Sequence, residues 1–398
     1  MSARRRPAVV GIGYSDIGRR LERPLGLLAR DAARAAIADA GLRVEQIDGL
    51  STHAEMPVLG NTGGAIDGVH LVGVSNMIES LRIGDAVRWY SQSARGALLG
   101  SVIEAANAIV AGACDYALVW RALHMPMSGR YTSWTSPTAS GTMQFHVPYG
   151  ILLGAVPPAL DFRDYMHRFG ASREQLGRFV VANRQRAQLN PNAYWRGRGL
   201  SLDEYMEARM IAEPLCIHDC DIPVDGAAAI VMTAAERAAE LPHRPAHLLG
   251  WSQTTTPLEW FSTLGGDQRW ESARTAGRAV WPAAGVAPGE IRAAMVYDGF
   301  SPFVYWWLEA LGFCPRGEAP AFVAEAEVAP GGLAINTSGG SLGEGRMHGM
   351  AQVAEAVRQV SGRAGPRQVE GAEAVVATVG PPGDIDAAAV VFGTEPSG

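Results

Sequence analysis

The strongest constraint on this chain is that it states one pattern twice. Residues 31–52, DAARAAIADAGLRVEQIDGLST, read as an amphipathic helix, a turn at Gly41, a polar bridge and a short strand near Asp48-Gly49. Residues 271–302, ESARTAGRAVWPAAGVAPGEIRAAMVYDGFSP, repeat that order, with Gly285 at the turn and Asp298-Gly299 at the end. A second pair follows. SARGALLGSVIEAANAIVAGACDYALVWRA is a Gly-rich turn, a helix and a strand, and so is GGSLGEGRMHGMAQVAEAVRQV with the later AEAVVATVG. Helix–turn–strand units that recur in matched order predict a duplicated α/β half. The halves are expected to meet near Pro242, giving 1–242 and 243–398, and each opens on a strand, AVVGIGY and HLLGWSQ. The first half carries an excursion over about 120–200. From about Trp120 to Leu153 it has no sustained period and is rich in aromatic, Ser, Thr and Pro residues, which predicts a long functional loop. Helices follow, the second starting near Ser172 and Glu174.

One absence excludes several chemistries. The chain has 34 Lys plus Arg, and every one is arginine. A lysine Schiff base, a pyridoxal linkage and a P-loop lysine are therefore excluded, and arginine cannot replace them because it stays charged. A net charge of −6 argues against a general nucleic-acid surface, and Arg4–Arg6 reads as a solvated terminus. No apolar run reaches the length of a membrane span, and four scattered cysteines make no disulfide framework. A reducing cytoplasm is the expected setting.

The densest local signal is INTSGGSLGEGRMHGM, residues 335–350, with five glycines. It is neither a P-loop nor a dinucleotide fingerprint. Two readings stay open. The glycines turn a corner into a helix, or their N–H groups receive an anion or a thioester oxyanion. On the second reading Gly339, Gly340 and Gly345, with Ser93, are the candidate acyl-CoA contacts. CIHDC, read as a strand, puts Cys216, His218 and Cys220 on one face, but a straight strand suits tetrahedral zinc poorly, so no metal is expected. Trp251, Trp260, Trp270, Trp281 and Tyr305-Trp306-Trp307 offer an apolar surface for a substrate or a subunit, or plain core.

VVGIGYSDIGRR, DAGL…IDGL, the helix before CDYALVW, YMHRFG, PLCIHDCDIPVDGAAAIVMT, YDGF, LGFCPRGE, NTSGG and EAVRQVSG…RQV together resemble the thiolase superfamily. The likeness is to its lipid-transfer-protein branch, related to the thiolase of sterol carrier protein x. It implies two βαβαβ halves stacked in five αβαβα layers, a homodimer and acyl-CoA substrates, with no other cofactor. It also implies that the thiolase groups are replaced. Ser93 stands for the nucleophilic cysteine, Arg346 for the histidine, Tyr297 for the asparagine, and Val379-Gly380 for the second cysteine.

The same losses resemble the retro-aldolases that shorten steroid side chains. These cleave a bulky β-hydroxyacyl-CoA to a ketone and a shorter acyl-CoA, with a small OB-fold zinc-ribbon protein as partner. Acid–base groups and an oxyanion site suffice for that reaction. The resemblance implies a proton-relaying Tyr297. Where that branch has a second tyrosine this chain has Arg346, which lowers the Tyr297 pKa or stabilises an enolate. His348 takes the proton role or caps the helix. Asp48 and Asp298, read as matched residues, suggest turn-holding roles, and His124 a hydrogen-bonded support. Two alternatives remain open: an acyltransferase using Ser93, which needs a base nearby, and a non-catalytic acyl-CoA-binding scaffold subunit.

Overall fold

The computed structural model describes residues 6–53, 71–93, 97–124, 147–149, 151, 154–255, 270–328, 331–382 and 386–394. Arg4, Arg5, Arg95, Trp260 and most of the expected loop, 125–146, lie outside these. The strands are β1 (Pro7–Tyr14), β2 (Gly49–His53), β3 (Trp89–Ser93), β4 (Tyr116–His124), β5 (Met210–Ala212), β6 (Leu215–Cys216), β7 (Asp225–Ala234), β8 (Ala246–Thr255), β9 (Ala293–Met295), β10 (Ala334–Ile335), β11 (Ala374–Val379) and β12 (Asp386–Gly393). The helices are α1 (Leu25–Asp39), α2 (Val74–Leu81), α3 (Ala97–Ala111), α4 (Val156–Phe169), α5 (Arg173–Ala187), α6 (Leu202–Glu207), α7 (Ala235–Ala238), α8 (Glu271–Ala284), α9 (Phe303–Ala310), α10 (Ala319–Val328), α11 (Gly340–Glu344) and α12 (Met350–Val360).

Ten strands run in the order β10-β9-β11-β12-β8-β1-β7-β4-β2-β3, while β5 and β6 pair separately. Read outward from the middle, β1-β7-β4-β2-β3 and β8-β12-β11-β9-β10 follow the same plan. The two sets join antiparallel through Ala8↔His247 and Val9↔Ala246. In each set the inner strands pair antiparallel and the outer ones parallel.

Helices fix the layers. The stripe Leu25, Leu28, Ala29, Ala32, Ala33, Ala36 and Ile37 is buried, and α1 lies along β1, β7 and β4. A Cβ at Gly11 or Gly13 of β1 would run into the α1 backbone, as one at Gly250 of β8 would run into α8. The same close approach is thus built into both sets. Between the sets sit α3 and α12. Each touches strands of its own set and of the other, which makes them the central layer.

Three expectations are corrected. Trp120 to His124 are not loop, because β4 continues to His124, paired with β7 residue by residue. CIHDC is not a strand: β6 ends at Cys216, and Ile217–Asp219 form a single 3-10 turn. That turn is pinned by Asp219, which accepts from Cys216 N–H, Tyr205 Oη and Ser301 Oγ. The two cysteines and His218 therefore share no strand face. Third, Asp48 and Asp298 are not matched. Gly41 and Gly285 take the same left-handed turn, at φ 71 and 70. Counting from those turns pairs Asp48 with Arg292 and His53 with Tyr297.

Candidate active site

The parallel strands β2 and β3 end together at His53 and Ser93, while β4, whose Trp120 pairs with Thr52, runs on to His124. Tyr297 lies two residues beyond the end of β9, and residues 336–349 follow β10. Strand ends of this kind are where open α/β sheets gather their functional loops.

The glycine loop is held by its own chain. Asp298 is fully buried and its carboxylate accepts from Ser341 N–H, Leu342 N–H, Asn183 Nδ2 and Gln352 Nε2. Burial pushes its pKa up to about 7, against four donated bonds that favour the ionised form. The N–H groups of Gly339, Gly340 and Gly345 are engaged as well, with Asn336 O, Ser338 Oγ and Ser341 O. They set the path of the loop, and the expected open donors are not there. Gly340, at φ 56, leaves no room for a Cβ beside the Asp298 carboxylate. Gly345, at φ 124, packs on Val224.

This path carries Arg346 and His348 into the interior. Arg346 N–H donates to Ile222 O at 2.9 Å, and Arg346 Nε reaches His348 Nε2 at 3.0 Å. His348, itself at φ 50 and 8 % exposed, meets a second guanidinium on its other nitrogen: Arg121 Nη2 lies 2.7 Å from Nδ1. Arg121 sits on β4 and also donates to the carbonyl of His53 at the end of β2. Burial comes first, then Arg121, Arg346 and His53, in holding the His348 pKa well below the usual histidine range. The ring is neutral, and taking up a proton there is opposed from both sides.

Tyr297 is buried. Its N–H donates to Thr378 Oγ1 at the end of β11, and its ring stacks on Phe303 at 6.2 Å. Gly349, next to His348, packs against Val379, the following residue of β11. Tyr297 and His348 thus approach one strand end, near Val379-Gly380. The phenol folds back over its own backbone: a Cβ on Gly299 would lie 2.7 Å from Tyr297 Oη. Ser93 closes β3 with its Cα paired to that of His53.

His124 is not the supported histidine expected. It is 6 % exposed, and among the described residues neither ring nitrogen has a hydrogen-bond partner. The aromatic run is mostly core: Trp307 is fully buried with its indole N–H on Gly380 O, and Trp281 donates to Leu311 O. Trp270 and Trp306 lie with ring centroids 4.3 Å apart, tilted by 34°, and help line a recess with Arg168, Arg274 and Arg316.

Residues 266–393 match the thiolase C-terminal domain-like family. The chain is 35% identical to a 17-hydroxy-3-oxo-4-pregnene-20-carboxyl-CoA lyase of Mycobacterium tuberculosis, over 94% of this chain and 96% of that one. This chain belongs to the thiolase superfamily, among its steroid side-chain aldolases. A steroid side-chain-cleaving aldolase of Thermomonospora curvata is 33% identical over 97% of this chain and 95% of its own length. The structure solved as an Ltp2-ChsH2(DUF35) aldolase superposes with a TM-score of 0.86 at 32% identity, covering 98% of this chain and 97% of that chain.

The sequence names Tyr297, Arg346 and His348 as site candidates, and the fold brings His348 and Arg346 into contact. Arg121, which meets His348, and His53, whose carbonyl Arg121 holds, are not among those candidates. Arg121 carried a signal: a charged residue inside the apolar run ALVWRAL rarely sits buried without a task. His53 would have emerged from counting both halves from their glycine turns.

Proposed function

We propose that this chain cleaves a bulky, steroid-like β-hydroxyacyl-CoA by a retro-aldol reaction, giving a ketone and a shortened acyl-CoA. A base removes the hydroxyl proton and the carbonyl of the ketone forms. The electron pair of the broken C–C bond passes into the thioester as an enolate, whose α-carbon then takes a proton. Tyr297 exchanges the proton, while the guanidinium of Arg346 holds the enolate oxygen and neutral His348 keeps it in place. The observation that carries this reading is Arg346 locked on a neutral imidazole near the strand end that also receives Tyr297. No acyl-enzyme is required.

The solved relative's pairing with a DUF35 protein supports a small OB-fold zinc-ribbon partner here. A homodimer through β3 fits the 65% exposure of Tyr90 on that strand. The setting proposed is cytoplasmic, with acyl-CoA as substrate and no further cofactor. The test is co-expression with the DUF35-type partner and incubation with a β-hydroxyacyl-CoA bearing a tertiary hydroxyl. Mass spectrometry should detect the ketone and the shortened thioester. Tyr297→Phe should lower turnover by about 10²–10⁴-fold. Intact substrate across a panel of such thioesters would refute the reading.

A second reading draws on one observation. The β2–β3 register pairs the Cα of His53 with that of Ser93, so a residue with a titratable ring neighbours in the sheet the serine that an acyltransferase would use. An acyl mass increase on Ser93, lost in Ser93→Ala, would establish it.

A further inference from the structure

Arg184 of α5 is a buried cation with no anion beside it. It is 4 % exposed, and among the described residues its guanidinium has no hydrogen-bond acceptor and no carboxylate partner. It lies over the Trp195 ring, 3.9 Å from the centroid. A ring face attracts a cation, yet it offers no oxygen to the guanidinium N–H groups. Burial pushes the Arg184 pKa down to about 10, where a neighbouring carboxylate would have held it up. A buried charge is costly unless it is paired.

The surroundings are held firmly. Gln188 Nε2 reaches the carbonyls of Arg184, Trp195 and Arg198 at 2.8, 3.1 and 3.4 Å, and Gln188 Oε1 accepts from Gly197 N–H at 2.7 Å. Residues 195–198 are thereby fastened onto the end of α5. His218, in the 3-10 turn after β6, is half-buried and near enough for Arg184 to oppose its protonation. The acidic group beside His218 is Glu204 of α6, whose carboxylate accepts from Ser201 N–H at 2.7 Å.

We propose that Arg184 and His218, over the face of Trp195, form a binding site for an oxyanion of the phosphate class. A guanidinium presents paired N–H groups that match two phosphate oxygens, and an imidazole N–H suits a third. The phosphate comes either free or as part of a CoA thioester. The site shares no residue with Tyr297, Arg346 and His348, and its occupation does not require the retro-aldol reaction. It is linked to them through Trp195 N–H, which donates to Gly343 O at 3.3 Å in the segment that leads to Arg346. An occupied site therefore braces the loop that carries Arg346.

The test uses the full chain in phosphate-free and sulfate-free buffer, with ionic strength held by chloride. Calorimetric titration with inorganic phosphate and with CoA should show binding that Arg184→Met weakens by about 10–100-fold and His218→Gln by less. Competition separates the sources. Displacement of phosphate by CoA, and not by pantetheine, assigns the site to a phosphate of CoA. Phosphate binding undisturbed by CoA assigns it to the free anion. If neither ligand binds the wild type more tightly than it binds Arg184→Met, the proposal is overturned.

A second readout separates a binding site from a packing contact. Arg184→Met removes an uncompensated charge, so without phosphate its melting temperature should equal or exceed that of the wild type. Phosphate or CoA should then stabilise the wild type alone. A melting temperature lowered in Arg184→Met, with both chains indifferent to either ligand, overturns the proposal. Should Arg184→Met fold poorly, the wild type decides. Its His218 ring protons, assigned with His218→Gln, should titrate at higher pH once inorganic phosphate or CoA is added, and an unmoved titration with both overturns the proposal.

Discussion

The central layer contains two helices in comparable places with opposite characters. Helix α3 is filler: Leu98, Leu99, Val102, Ile103, Ala105, Ala106 and Ile109 are buried against strands of both sets. Helix α12 buries Gln352, Glu355 and Gln359 as completely. Glu355 receives both arms of Arg367, each at 2.9 Å, and Thr337 Oγ1 at 2.8 Å, while Gln352 reaches Asp298. The difference follows what each helix carries. Left-handed glycines have no side chains with which to anchor a loop, so buried polar groups of the adjoining helix supply the anchors.

That contrast can be broken most severely at Arg367. Arg367→Met strands the fully buried Glu355 carboxylate and should cost about 3–5 kcal/mol in equilibrium denaturation. The next effect is at Asp298. Asp298→Asn presents an amide to donors and should cost about 2–3 kcal/mol. It should also remove a pH dependence. A carboxyl raised to about 7 in the folded chain binds its proton more tightly than in the unfolded chain. Its stabilisation is complete below the ordinary carboxyl range and is lost as pH rises through 7. Denaturation from pH 5 to 8.5 should show this decline in the wild type and a flatter profile in Asp298→Asn. The smallest effect belongs to α3. The Ser101 hydroxyl is buried with no hydrogen-bond partner among the described residues, so Ser101→Ala should change stability by less than about 0.5 kcal/mol. A larger loss would mean that the Ser101 hydroxyl is engaged after all.

Much of this was legible from local chemistry. The helix–glycine–strand pattern predicts paired halves because Gly41 and Gly285 must each adopt a conformation that few other residues accept. NTSGG marked the loop, and YDGF marked Tyr297. What escaped depended on strand order. Nothing near Arg121 in the chain reveals that it will meet His348, 227 residues away. Asp48 and Asp298 misled because each is an Asp-Gly pair near a strand, although one precedes its strand and the other follows it. CIHDC misled because alternation over so few residues does not tell a strand from a turn closed by its own aspartate.

The two-pair junction between β1 and β8 has a consequence for solubility. An unpaired strand rim is a template on which another chain can build, and long rims are aggregation hazards. By joining rim to rim, the two halves remove their inner rims from circulation. The outer rims left over are β10, with two residues, and β3, with five. Among the described residues, the sheet thus leaves a neighbouring chain only two short rims, of two and five residues, on which to build.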